Sequence, residues 1–413
     1  MNNWLIINRQ DHASGIDFRH HLPKDYLIII IPEDLSISSF TKYDKVIQTA
    51  NFDKSTEVDT ACFELAKQHS LKGVIAFHER DLIRAQIIRD QFNLKSPLVV
   101  NCKSYQALRN KFLMKEWLKN NSIPTPEFCL PTHPLDALTF AKRVQYPLIA
   151  KPLFGSSSIG INKIESAHDI CKLYEQHYLL DHSFISDTTL PYILEKWVDA
   201  GMYHLDGVFS NRKLHHVDIS SYFTGCNEFR EGNPTGSFTI SPQNQTHILK
   251  TLERILQSMV GVKICVFHCE IFVSKANLHV CEIAIRPAGT LVSKVIKYRS
   301  GIDLKKEFLA MQVESDYSPS PIDTCKMHYG WLYFPKPQKR KKLLRASTKI
   351  PFSYIKHFDL KTIATDTFYQ DDRSKVDYSL GLVYEGTNEQ AMLTRYKEIC
   401  NWYQESFIWS DNI

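Results

Sequence analysis

An α/β fold with more than one sheet is what this sequence predicts, on three observations. The first hundred residues alternate short β-branched runs with helical patterns, and residues 268–286 read as one antiparallel hairpin. The chain has 413 residues, 43% hydrophobic and 23% charged. That length points to about two to four domains and that composition to a globular protein.

Trp4–Ile7, Tyr26–Ile31, Lys45–Ile47 and Gly73–Phe77 are the β-branched runs, and residues 60–69 and 81–91 carry helical periodicity between them. Continuous apolar strands separated by helices indicate a parallel sheet covered on both faces. Asn8-Arg9-Gln10 follows the first strand, where a dinucleotide fingerprint needs glycines, so no dinucleotide site is expected there. Residues 104–121 read as one amphipathic helix burying Leu108, Phe112, Leu113, Trp117 and Leu118, ended by Ile123-Pro124-Thr125-Pro126. Lys111 within it reads, taken alone, as a surface lysine.

From Tyr146 an apolar strand runs to Lys151, and a loop over 153–160 rich in glycine and serine follows. Gly155 and Gly160 permit close backbone approach, and Ser156, Ser157 and Ser158 offer donors for phosphate oxygens. The loop lacks the GK[ST] of a Walker motif. It reads either as plain flexibility or, given the adjoining strand lysine, as a phosphate-binding loop. Residues 191–198 are a further strand ending in Glu195-Lys196-Trp197-Val198, an ordinary strand by itself or one whose backbone meets a purine edge.

In the hairpin, Ser274–Asn277 forms the turn. Alternation puts His268 and Glu270 on one face of the first strand, and Val280, Glu282, Ala284 and Arg286 on one face of the second. The two carboxylates therefore converge, and like charges opposite one another destabilise a sheet. Two readings stay open: a cation between them, for which hard oxygen ligands suit Mg²⁺, or a solvated face on which Arg286 pairs with Glu282. Cys265, Cys269 and Cys281 with His268 and His279 invite a zinc reading. Alternation instead places Cys269 and Cys281 opposite the glutamates, among Phe267, Ile271, Ile283 and Ile285, as core thiols.

Other features bound the function. A formal net charge of +5 over this length gives no case for nucleic-acid binding. No apolar run reaches about eighteen residues, so no membrane span is expected. No signal peptide is visible, and ten cysteines lie scattered without a CxxC pair, for which a reduced, cytoplasmic setting is the simplest account. The basic cluster at 337–342 reads as a solvated turn, or as a contact for nucleic acid or an acidic carrier protein.

Taken in order, a helix lysine, a strand lysine with its Ser/Gly loop, Glu195-x-x-Val198 and Glu270…Glu282-x-x-x-Arg286-Pro287-x-Gly289 resemble the ATP-grasp superfamily of carboxylate-amine ligases. The resemblance covers nearly the whole chain. It implies a Rossmann-like domain over 1–103, a helix plus small lid subdomain over 104–193, a mixed-sheet catalytic domain over 194–315, and a C-terminal β-rich lobe over 316–413. ATP and Mg²⁺ are the implied cofactors. By the same resemblance Lys111 and Lys151 would bind phosphates under the 153–160 loop, with Ser156, Ser157, Ser158 and Gly160 as its contacts. Glu195, Lys196 and Val198 would form the adenine hinge, and Glu270 and Glu282 would hold Mg²⁺. Arg286 would meet an acyl phosphate and the tetrahedral intermediate, with Lys151 and Gly289 the further catalytic positions.

Two departures matter. Ala284 stands where the family carries a metal-binding Asn, and Met202 where many relatives carry a ribose-binding Glu, which turns attention to Asp206 or His204. The segment 214–242, where the family builds its acceptor site, contains Asp218, Tyr222, Phe223, Glu228, Arg230 and Glu231. Aromatic rings bracketed by carboxylates suit an amino acid with a positive group. The implied activity is dipeptide formation by an L-amino-acid ligase, with a lean toward arginine as carboxylate donor. The implied partners are small amino acids, neither nucleic acid nor membrane, with room for a homodimer. The alternatives are a ligase loading a carrier protein and a nucleotide-binding regulator without turnover.

Overall fold

The computed structural model describes all residues except 1, 11–14, 53–55, 97, 99–101, 156–158, 181–191, 225–228, 230–231, 242–244, 260, 275–276, 324, 338–340, 363–366, 369–377 and 412–413. Strands β1 (Asn3–Ile7), β2 (Tyr26–Pro32), β3 (Lys45–Thr49) and β4 (Leu71–Ala76) form a parallel sheet in the order β3-β2-β1-β4. The isoleucine runs need no polar alternation because both faces are covered. Leu5, Ile7, Ile28 and Ile30 pack on one side against the helices Glu57–Gln68 and Glu79–Gln91, and Trp4, Ile6, Leu27, Ile29 and Ile31 pack on the other with Phe18 and Phe40. The strand order reverses beside β1, where such sheets open a crevice. Glu79 starts its helix just past the end of β4.

The helix expected over 104–121 is two helices, Cys102–Arg109 and Lys111–Asn120. Asn110 separates them with an extended backbone, and its side chain accepts from Phe112 N at 3.0 Å and Leu113 N at 3.2 Å. Apolar periodicity continues across this break, so the pattern alone cannot show it. The rotation also differs from expectation. Leu113 is exposed, and the buried positions of the second helix are Lys111, Met114, Lys115 and Leu118.

Strands β5 (Phe128–Cys129), β6 (Leu148–Pro152), β7 (Asn162–Ile164) and β8 (Tyr192–Lys196) form an antiparallel sheet, ordered β5-β8-β6-β7. Leu148, Ala150 and Leu194 face a small core with the helices Pro134–Val144 and Ala167–Leu180. Period-two alternation then turns Ile149, Lys151 and Glu195 to the opposite face.

The largest sheet contains β9 (Gly201–Ser210), β10 (Lys213–Tyr222), β11 (Thr235–Thr239), β12 (Cys265–Val273), β13 (Leu278–Ala284) and β14 (His328–Pro335). The chain then adds β15 (Lys341–Arg345), β16 (Ile355–Leu360), β17 (Thr367–Phe368), β18 (Tyr378–Gly386) and β19 (Ile408–Trp409). β16 and β18 extend the large sheet, which is antiparallel throughout and runs β13-β12-β9-β10-β11-β14-β18-β16, while β15, β17 and β19 make a small sheet. A Cβ on Gly207 would lie 2.0 Å from His216 O, so β9 and β10 approach this closely only with glycine there. Ile248, Leu252, Ile255 and Leu256 of the helix Thr246–Ser258 pack into the core shared with β9 and β12. The helix Glu389–Ser406 buries Met392 and Ile399, stacks Tyr396 on Phe223 and stacks Tyr403 on Phe334. Among the described residues no helix is long and apolar enough to cross a membrane.

The cap at Asn110 sets where Lys111 begins its helix, and that role is measurable. Asn110→Ala is expected to cost about 1 kcal/mol in denaturant unfolding and Asn110→Asp close to nothing, since Asp caps as well as Asn.

Candidate functional site

A cavity of about 2250 Å³ lies between the β5–β8 sheet, the β12–β13 hairpin and the ends of β1–β4. Lys111, Lys151, Glu195, Lys196, Val198, Met202, Tyr222, Glu270, Glu282, Arg286 and Gly289 all line it. Residues far apart in sequence are therefore brought to one space. Gly160 does not line it; with φ +74° it turns the chain above Pro152, and a Cβ there would meet Pro152 Cγ at 2.8 Å. Ser156, Ser157 and Ser158 lie outside the described residues.

Lys111 is no surface lysine. It is buried, its Nζ donates to Gly155 O at 2.8 Å and lies 3.6 Å from Glu282 Oε2. Lys151 and a second buried lysine, Lys115, share the carboxylate of Glu195 at 2.9 and 3.5 Å. Lys115 Nζ also donates to Val280 O at 3.0 Å, tying its helix to β13. Burial is the largest influence on Glu195 and pushes its pKa up, but Lys115 and Lys151 outweigh it and hold the carboxylate below its ordinary range. Burial alone would lower Lys151, yet Cys281 and Glu195 turn the balance upward. Because burial pushes the Cys281 thiol itself up to about 12, Glu195 is the anion that keeps Lys151 charged. Lys115, the more distant partner, is lowered by burial. Glu195 Oε1 is buried and has no hydrogen-bond partner among the described residues, so this carboxylate offers an acceptor at the cavity wall.

Cys269 is a core thiol, as alternation indicates. Cys281 differs: it lines the cavity with its Sγ 3.6 Å from Lys151 Nζ. The ladder shifts register there, Glu270 pairing with Glu282 but Ile271 with Val280, so Cys281 is the extra residue of a bulge and Val280, expected on the glutamate face, packs in the core.

Glu270 and Glu282 are direct cross-strand partners. Tyr222 OH donates to Glu270 Oε1 at 2.8 Å, and His268 Nε2 stands 3.7 Å from the same oxygen. Burial acts to lower His268, but Asp206 and then Glu270 overcome it and raise its pKa to about 10. Arg286 does not pair with Glu282; its Nη2 meets Glu79 Oε1 at 2.7 Å and its Nη1 donates to Pro287 O at 2.8 Å. The two facing carboxylates are a hard-oxygen donor set of the kind Mg²⁺ takes, with its other positions filled by water and phosphate. Ala284, across from His268, adds no donor.

Three expected contact residues stand apart from the cavity. His204, Asp206 and Asp218 are buried and do not line it. Cross-strand register runs Glu282–Glu270–His204–Ser220 in one row and Ala284–His268–Asp206–Asp218 in the next. The polar face thus continues inward from the glutamate pair. Asp206 accepts from His204 and from His268 Nδ1 at 2.8 Å, and His204 Nε2 meets Ser237 Oγ at 2.7 Å. Asp218 is held by Arg299 Nε at 2.6 Å and His216 Nε2 at 2.9 Å. In this structure these side chains are taken up by neighbouring side chains and do not line the cavity. Glu228 and Glu231 fall outside the described residues.

The sequence reading passed over three residues. Lys115 follows Lys111 by one helical turn, and that i,i+4 spacing was the available signal. Glu79 meets Arg286 from the first turn of the helix after β4, which no local pattern reports. Ser293, in the first turn of the helix Val292–Ser300, lines the cavity with a buried Oγ that has no hydrogen-bond partner among the described residues.

Facing glutamates repel in the ligand-free protein. Glu282→Gln is accordingly expected to leave the urea midpoint unchanged or raise it. Asp218→Asn should instead lower stability by about 3 kcal/mol, since it breaks a buried ion pair, and should leave ligand preference as it is. Urea unfolding reads both.

Residues 144–294 match the ATP-grasp domain family. The L-arginine-specific L-amino acid ligase of Bacillus subtilis is 24% identical over 270 residues, 63% of this chain and 62% of that protein. This chain thus spans less than two thirds of that relative's length. The crystal structure of an L-amino acid ligase from Bacillus licheniformis superposes with a TM-score of 0.75 at 14% identity, covering 97% of both chains. The biotin carboxylase domain of the 2-oxoglutarate carboxylase of Hydrogenobacter thermophilus, crystallised with MgADP, ADP and bicarbonate, gives 0.68 at 13% identity over 99% of this chain and 90% of that one. Residues 144–294 of this chain are thus similar to an ATP-grasp domain, and the fold of the whole chain matches that of an L-amino acid ligase.

Proposed function

We propose that this protein is an ATP-dependent carboxylate-amine ligase that activates an amino-acid carboxylate as an acyl phosphate. It then joins that carboxylate to the amino group of a second amino acid, giving a dipeptide, ADP and phosphate. The observation that carries this reading is Glu270 directly opposite Glu282 on a cavity wall shared with Lys111, Lys151 and Arg286.

Each residue then has a physical task. Lys111 and Lys151 supply fixed positive charge for the phosphates, and Glu195, Lys196 and Val198 offer the base edge an acceptor carboxylate and strand backbone. Mg²⁺ held by Glu270 and Glu282 would neutralise phosphate charge and orient the γ-phosphate for attack. Arg286 faces the charge that develops on the acyl oxygen, where preorganised donors act most strongly. Gly289, with open space where a Cβ would stand, lets the substrate approach the backbone. Ser293 Oγ and the N-terminus of its helix can receive the carboxylate of the second amino acid. Most of the acceleration in such transfers comes from positioning and electrostatics.

The lean to arginine as carboxylate donor is supported by the name of the Bacillus subtilis relative. In the part of the cavity walled by β14, β16 and β18, Trp331, Tyr333, Tyr378 and Asp359 line it together, and Tyr378 OH donates to Asp359. Rings with a carboxylate suit a guanidinium, although Lys361 at 3.5 Å and Tyr378 already meet this one.

The test is a phosphate-release screen with ATP and Mg²⁺ over the amino acids singly and in pairs. Release that requires an amino-acid pair and matches dipeptide formed is expected, with arginine among the donors. Glu282→Gln should lower it by about 100-fold or more, the scale of losing a transition-state-stabilising group. Absence of release for every pair, or release only with a thiol-bearing protein, would overturn the reading.

A further inference from the structure

The carboxylate of Glu79 is shared by two arginines. Arg286 Nη2 meets one oxygen at 2.7 Å, and Arg109 Nη1 meets the other at 3.0 Å. Burial, the largest influence on Glu79, acts to raise its pKa, but Arg286 and Arg109 outweigh it and hold the carboxyl down to about 2. The other end of the Arg109 guanidinium donates through Nη2 to Phe154 O at 2.7 Å. Immediately beyond, Lys111 N donates to Leu153 O at 3.0 Å and Lys111 Nζ to Gly155 O at 2.8 Å. Residues 109 and 111 therefore take three successive carbonyls at the foot of the 153–160 loop.

Arg286 and Glu79 line the cavity; Arg109 does not. Arg109 thus reaches no ligand and acts only on its neighbours. Its planar fork fixes the spacing of what its two ends hold, here Glu79 and Phe154 O. Those partners belong to separate elements: Glu79 opens the helix after β4, and Phe154 follows β6.

We propose that Arg109 is a positioning residue that sets Arg286, through Glu79, and the foot of the 153–160 loop, through Phe154 O, in one common register. This rests on the ligase reading for the role of Arg286. Under that reading the acyl phosphate has two fates. Attack by the amine forms the C–N bond, breaks the acyl C–O bond to phosphate and passes a proton to solvent. Attack by water breaks the same bond and returns the original carboxylic acid. Each releases one phosphate, and only the first gives dipeptide. Loss of register between Arg286 and the loop favours water.

Arg109→Lys keeps the charge but has one nitrogen, which cannot hold both partners. It should raise phosphate released per dipeptide severalfold. Glu79→Gln should do the same, and the double variant should be no worse than the worse single one, because both cut one chain of contacts. An unchanged ratio in both single variants, or effects that multiply, would overturn the proposal. If Arg109→Lys does not fold, Glu79→Gln decides by its own ratio. If the wild-type protein releases no phosphate with any amino-acid pair, the ligase reading falls separately. Hydrogen exchange then decides on Arg109: both variants should lose amide protection over 153–155, and unchanged protection would sink its positioning role.

Discussion

Two carboxylates placed opposite one another on neighbouring strands, Glu270 and Glu282, are the constraint the site is built around. A pair of unit charges about 4 Å apart at a protein surface interacts by about 4 kcal/mol, comparable to a large part of a domain's net stability. Such a pair persists only where cations adjoin it. Lys111 approaches Glu282, His268 approaches Glu270, and Tyr222 donates to Glu270. The helix Lys111–Asn120 is accordingly turned so that two lysines, rather than Leu113, point inward.

The same economy of charge governs the second wall. Glu195 serves Lys115 and Lys151 at once. A buried ionic cluster is a poor stabiliser relative to an apolar core, so its presence beside the cavity argues for a binding task rather than for fold stability. Glu195 Oε1 and Ser293 Oγ, buried and without a partner among the described residues, point the same way. Native proteins seldom leave buried polar atoms unsatisfied without a reason, and both atoms belong to residues that line the cavity.

Much of this was legible because strands have a strict period. Glu270 and Glu282 converge by alternation alone, Lys151 closes an apolar strand, and the isoleucine runs of β1 and β2 require a sheet covered on both sides. What the sequence hid depends on partners distant along the chain. Lys115 has no visible task until Glu195 arrives from β8. Pairing of Arg286 with Glu282 stays open until Glu79 arrives from the helix after β4. Asp206 and Asp218 read as ribose and amino-acid contacts by resemblance. Instead His204, His268 and Arg299 take up their charge indoors. The break at Asn110 escaped because apolar spacing persists through it, whereas a cap is a matter of two hydrogen bonds. That β18 and β16 continue the sheet begun at β9 is likewise a pairing between segments with no local signature.

The account stands on Glu270 and Glu282 forming a metal-assisted phosphate site. Calorimetric titration of ADP into the protein with and without Mg²⁺ tests this most directly. Tighter binding with Mg²⁺ in the wild-type protein, and loss of that dependence in Glu270→Gln, is the predicted result. Equal affinity for ADP in the wild-type protein whether or not Mg²⁺ is present would contradict it.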